Sequence, residues 1–269
     1  MLTGLFLGTL VVLRATAFPI AWLGLELNLM AFLPWALRQE AQKKGAMGYF
    51  IAQRVGSLIL LLGGLVIGYL SVGGLLVGAG LIIKMGLLPL HYWVPAVVDN
   101  LPLGGLFLLL RWQKVAPLAL FWFTSVRQLP WAVCNAVGGG LLMIVAAAIP
   151  LLLVFRGMVQ MGWLLSFHDG FAYYYLTLYF AVLALAVAWS ASPSLSLGWA
   201  LLNAGGLPPL TGFVIKLKGL LRLPARLGGC LLAARGVALC SYSRFLVNGR
   251  FKSLQVTPSL LGGSALGVV

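Results

Sequence analysis

The sequence predicts an all-α, polytopic membrane protein of about 10–11 transmembrane helices, and three observations predict it. Apolar residues make up 62% of the 269 positions and charged residues 8%, with a mean hydropathy of +1.05; soluble domains average about 25% charged residues. Uncharged stretches are long, covering residues 55–83 and 170–215 without interruption. About 20 apolar residues cross a bilayer core of roughly 30 Å, so the second stretch holds two crossings, divided near 190–196. Runs such as "LILLLGGLVIGYL" do not alternate apolar and polar residues as barrel strands do, which leaves helices to satisfy the backbone inside lipid. Connections are short throughout, and residues 1–269 are expected to form a single integral membrane domain.

Apolar runs and their breakers place crossings near 1–13, 19–37, 47–69, 74–92, 102–124, 130–154, 156–167, 171–190, 196–220, 224–246 and 257–269. The opening "MLTGLFLGTLVVLRATA" has an A-x-A-like end that also fits a cleavable signal peptide. It has no basic n-region and the next apolar run follows at once, which favours a short first membrane helix. The runs at 156–167 and 257–269 are short for a crossing. The glycines at 63–64 and 138–140 fit close helix contacts, since small residues let membrane helices approach.

The net charge of +14 comes from 18 Lys and Arg against 4 Asp and Glu. The basic residues form no dense stripe with interleaved aromatics, which argues against nucleic acid. "LRQEAQKK" (37–44) and "SRFLVNGRFK" (243–252) instead fit loops obeying the positive-inside rule. Cys134, Cys230 and Cys240 lie far apart without C-x-x-C spacing, and His91 and His168 do not complete a metal set with them. No phosphate-binding loop, dinucleotide fingerprint or nucleophile elbow is present.

A few charges stand where lipid should forbid them. Lys84 lies ten residues past Gly74, about 15 Å along a helix. Lys114 lies twelve residues past Pro102 and Glu26 twelve before Arg38, each about 18 Å from its end. A charge at mid-bilayer costs about 2.5–3.5 kcal/mol on insertion scales and usually marks an ion or proton path. The alternative for each is structural: an ion pair that fixes packing, or a lysine that snorkels to the interface. Lys216 is six residues from Arg222 and Lys218 lies about 200° further round the helix, so at most one of the two faces a given polar path. Gly86 and Pro89 follow Lys84, while Gly205, Gly206, Pro208 and Pro209 precede Lys216. Proline removes an N–H and clashes with the preceding turn, so both helices are expected to be interrupted. Paired broken helices in separate parts of a chain are the pattern of transporters with internal repeats.

Taken together, "WLGLELNLMAFLP", "KMGLLPLHYWVP", "RWQKVAPLAL", "MGWLL" and "GGLPPLTGFVIK" resemble, in order and spacing, subunit 2 of the proton-translocating NADH:ubiquinone oxidoreductase, respiratory complex I. The likeness runs from about Trp22 to Lys216, and the compact start resembles mitochondrial forms of that antiporter-like family. It implies a chain of proton carriers in which Glu26 partners Lys84, Lys114 is the central position, and Lys216, rather than Lys218, lies towards the exit. It also implies the mitochondrial inner membrane, contacts with neighbouring membrane-arm subunits and lipids, and no nucleic acid. No cofactor is expected in this chain, with NADH, flavin, iron–sulfur clusters and ubiquinone in other subunits.

The sequence departs from the family where Ala96 replaces the glutamate of "VPEV", with Asp99 three residues on, and where Gln160 replaces a histidine before "MGW". Arg54, Arg111 and Arg156 stand where small or neutral residues are expected, and Arg111 shares a helix face with Lys114. The expected mechanism passes a proton by water from Lys84 to Lys114 and Lys216 as Glu26 approaches and withdraws, because burial disfavours a lone charged ammonium and a nearby carboxylate favours it. A non-pumping scaffold of the same membrane arm and an independent cation/proton antiporter are the other two readings.

Overall fold

The computed structural model describes residues 2–37, 43–69, 72–98, 103–124, 128–146, 148–167, 170–189, 203, 205–206 and 211–247. Every regular element among them is a helix. Helices α1 (Leu2–Leu13), α2 (Phe18–Ala36), α3 (Lys43–Val66) and α4 (Val72–Met85) pack in succession, each against the next. The contacts depend on glycine. Gly8 meets the backbone of Gly24 and Asn28, and a Cβ on Gly80 would lie 2.8 Å from the Leu60 nitrogen. The helices therefore touch backbone to backbone, as small residues allow in lipid. Leu58, Leu62 and Leu65 on α3, with Phe6 and Leu10 on α1, remain exposed, as a lipid-facing surface requires. Residues 45–66 and 105–123 are individually long and apolar enough to cross a bilayer.

The expected crossing at 74–92 divides in two. Helix α4 stops at Met85, Gly86 takes φ +63°, and α5 (Trp93–Val98) resumes beyond Pro89. A positive φ costs a side-chain-bearing residue roughly 1–2 kcal/mol, and glycine escapes this. The backbone groups freed here are satisfied by side chains, as they must be inside a membrane. Trp93 Nε1 donates to Ile83 O at 3.1 Å and Gln53 Nε2 to Lys84 O at 3.0 Å. Asn135 accepts from the Leu88 N–H at 2.8 Å and donates to Leu88 O at 3.3 Å.

The expected crossing at 102–124 is one helical path with a wide turn. It runs through α6 (Leu103–Phe107), a π-helical segment (Leu108–Trp112) and α7 (Gln113–Phe123). Such π-segments recur at functional sites, and this one delivers Lys114 just past its end. The expected boundary between 130–154 and 156–167 is corrected. The helices are α8 (Leu129–Val145) and α9 (Ile149–Leu165), and Pro150 sits in the first turn of α9. Proline is favoured there because its missing N–H has no helical partner anyway. Arg156, read as lying at a boundary, is instead buried mid-helix. Helices α10 (Phe171–Trp189), α11 (Thr211–Leu220) and α12 (Ala225–Val247) follow, with α12 packed on α8. The expected divide at 190–196 and crossing at 257–269 lie outside the described residues, as do Arg38, Asp99, His168, Pro208 and Pro209.

Gly86→Ala should lower the melting midpoint of the purified protein, since its Cβ meets Val94 and Trp93 at a backbone that disfavours side chains. Gly48→Ala, on α3 with nothing within 4 Å, should leave it unchanged or gain up to about 1 kcal/mol of helix preference. Equal midpoints for the two variants would contradict the constrained break.

Candidate functional site

The site begins at Glu26, which α2 places at 9% exposure facing α3 and α4. Its carboxylate has three neighbours. Ser57 Oγ donates to Oε1, Lys84 Nζ stands 3.8 Å from the same oxygen, and Arg54 Nη1 binds Oε2 at 2.9 Å. The Glu26–Lys84 pair expected from the resemblance is thus present, but Arg54 holds the carboxylate more closely. Arg54 also stacks over Phe50 at 5.1 Å, and its side chain is 38% exposed. Lys84 is buried, with Gly56 making room for its stem.

Lys114 lies on α7, also buried, and its Nζ packs against Gly157 of α9. The Tyr179 hydroxyl, from α10, meets the same glycine, so ammonium and phenol share one small niche. The Arg111 guanidinium lies over Phe107 at 4.8 Å and Phe180 at 4.6 Å. Beyond Tyr179 a cavity of about 20 Å³ is lined by Arg156, Gln160, Tyr175, Tyr179, Asn203 and Lys216. That is enough for one water molecule. Gln160, standing at the family's histidine, accepts a hydrogen bond from the Tyr175 hydroxyl. Lys216 is buried and Lys218 exposed, so the helix itself separates the two.

The second break forms around Gly206, at φ +80°. Lys216 Nζ donates to Gly205 O at 3.3 Å, the Arg235 guanidinium donates to Gly206 O, and Asn203 Oδ1 accepts from Gly212 N–H at 3.1 Å. Sequence reasoning missed Gln53, Ser57, Asn135, Tyr179 and Arg235. Only Arg235 carried a usable signal, as a charge eleven residues into a helix that starts at Ala225. Ala96 is exposed on α5. No cluster of metal-ligating side chains exists among the described residues.

The fold is that of the antiporter-like membrane subunits. It superposes on a chain of respiratory complex I from Thermus thermophilus, solved with bound aureothin, at a TM-score of 0.73 and 19% identity, covering 89% of this chain and 67% of that one. A chain of the archaeal membrane-bound sulfane sulfur reductase gives 0.75 at 16% identity, covering 89% and 63%. One from the Mrp complex of a Dietzia species gives 0.69 at 15% identity, covering 89% and 58%. Among curated proteins, the chain is similar to the NADH-ubiquinone oxidoreductase chain 2 of Crocidura hildegardeae, 29% identical over 256 residues, which covers 80% of this chain and 74% of that one. The protein of the same name from Myxine glutinosa is 29% identical over 258 residues, covering 81% and 74%. No family model matches. The resemblance to subunit 2 and the all-α antiporter-like fold are both borne out by these relatives.

Glu26→Gln leaves Lys84 buried without its anion and should destabilise the protein by about 3–5 kcal/mol. Arg54→Gln, at a partly exposed position, should cost only about 0–1 kcal/mol. Denaturant unfolding in detergent of the two variants checks the order, and a larger loss for Arg54→Gln would contradict it.

Proposed function

We propose that this chain is a membrane-arm subunit of a proton-translocating NADH:ubiquinone oxidoreductase in the mitochondrial inner membrane. Its relatives named NADH-ubiquinone oxidoreductase chain 2 support the assembly and the location. The observation that carries proton conduction is the buried polar line itself: Glu26 against Lys84, Lys114 against Gly157 and Tyr179, then a water-sized cavity leading to Lys216 at the second break. Charged groups persist inside lipid when they face protein or water, and each of these does.

In this reading Glu26 sets how strongly Lys84 keeps its proton. The carboxylate lies between Arg54 and Lys84, and a shift towards Arg54 weakens its hold on Lys84. The released proton passes to Lys114, from there by the Tyr179 hydroxyl and cavity water to Lys216, and out along α11. The chain does no redox chemistry. NADH, flavin, iron–sulfur clusters and ubiquinone belong to other subunits, and their energy reaches this chain as altered electrostatics or helix shifts. Neighbouring antiporter-like subunits and lipid are its partners.

Lys84→Met and Lys114→Met should each leave the assembly intact on native gels while NADH-driven proton uptake in proteoliposomes falls by about a hundredfold, the low end of a positioned proton-transfer group's contribution. Normal pumping by an intact assembly would end the carrier assignment. Loss of assembly with normal pumping per surviving complex would favour a scaffold. Exchange of cations by the isolated chain in liposomes would favour an independent antiporter.

A further inference from the structure

A second cavity, of about 300 Å³, opens between the start of α1, the π-helical path and α10. None of Glu26, Lys84, Lys114 or Lys216 is among its described lining residues. Its walls are apolar: Leu5 and Phe6 of α1, Leu108 and Trp112 of the helical path, and Phe180 of α10. One cation stands among them. The Arg111 guanidinium is sandwiched by the rings of Phe107 and Phe180, and it makes no ion pair or hydrogen bond among the described residues. The Trp112 indole N–H is already used, donating to Leu5 O at 3.5 Å.

Arg111 lies eight residues past Leu103, about 12 Å along the helical path. Its head reaches back one turn to Phe107, since helical side chains point towards their own N-terminus. The charge therefore approaches the membrane face at Leu103, as a snorkelling side chain does. Helix α1 starts at that same face, because α1, α2, α3 and the broken α4–α5 make an even number of crossings before α6. Leu2 and Phe6, on the α1 wall, are exposed, so lipid reaches the cavity. We propose that the cavity binds one membrane phospholipid of net negative headgroup, its phosphate on the Arg111 guanidinium and an acyl chain against Leu5, Phe6 and Phe180. Guanidinium offers a phosphate two parallel N–H donors, and basic pockets between membrane helices recognise anionic headgroups. No carboxylate lines the cavity among the described residues to hold the ammonium of a zwitterionic headgroup. The site rests on the membrane fold alone and does not require that the chain conduct protons.

The test is photolabelling of the assembled complex in vesicles by phosphatidylglycerol with a diazirine on its acyl chain, read by peptide mass spectrometry. The expected result is label on the peptides holding residues 2–6 and 107–112, displaced by unlabelled phosphatidylglycerol and not by equal phosphatidylcholine. Arg111→Gln should cut that label roughly tenfold, as loss of a hydrogen bond to a charged group does, and Arg111→Lys, which keeps the charge, should restore part of it. Should Arg111→Gln fail to assemble, the competition between the two lipids on the unmodified complex still decides the matter. Equal displacement by both lipids, or full labelling of Arg111→Gln, overturns the proposal. So does an absence of label on these peptides, the result expected if a neighbouring subunit or Asp99 fills the cavity.

Discussion

The structure depends on how a small number of charges is kept inside an apolar bundle. Glu26 is the one carboxylate among the described residues, and two cations close on it from different helices. Lys84 is buried and has no other anion near it among the described residues, while Arg54 is partly exposed and lies over Phe50. The pairing ties α2 to α3 and α4, and the glycine contact at Gly80 brings α3 and α4 close enough for Arg54 and Lys84 to reach the same carboxylate. In the proposed function this arrangement has two states, with the carboxylate nearer one cation or the other. That property suits a carrier whose proton must be held and then released.

The two helix breaks solve one backbone problem with different chemistry. At the first, around Gly86, freed carbonyls and an N–H are satisfied by the neutral side chains of Gln53, Trp93 and Asn135. At the second, around Gly206, the carbonyls are taken by the cations Lys216 and Arg235. Positive charge therefore stands at both ends of the line, as one carboxylate held by two cations at Glu26 and as Lys216 and Arg235 on adjacent carbonyls at the second break. The neutral break leaves Lys84 beside Glu26, and the cationic break sets Lys216 and Arg235 on adjacent carbonyls.

Much of this was legible in the sequence, and the unread parts have physical reasons. Uncharged runs and the Gly/Pro pairs located the helices and the first break, because hydropathy and proline act locally. The boundary near 155 was misplaced because the apolar run continues through it, whereas Pro150 marks the true start of α9. Arg54 read as a departure from the family, and its role as a second partner of Glu26 depends on α2 meeting α3 at one rotation, which spacing alone does not reveal. Gln53, Asn135 and Tyr179 carry no signal of their own. They matter through what lies opposite, and the tertiary contact supplies that.

The central claim is that mid-membrane polar groups form a hydrated line joining Lys114 to Lys216. A high-resolution density map of the assembled complex tests it most directly. The account predicts ordered solvent in the space between the Tyr179 hydroxyl, Gln160 and the Lys216 ammonium, with both lysine heads turned inward. Dry, closely packed side chains across that gap, with the ammonium groups extended to the headgroup region, would contradict it.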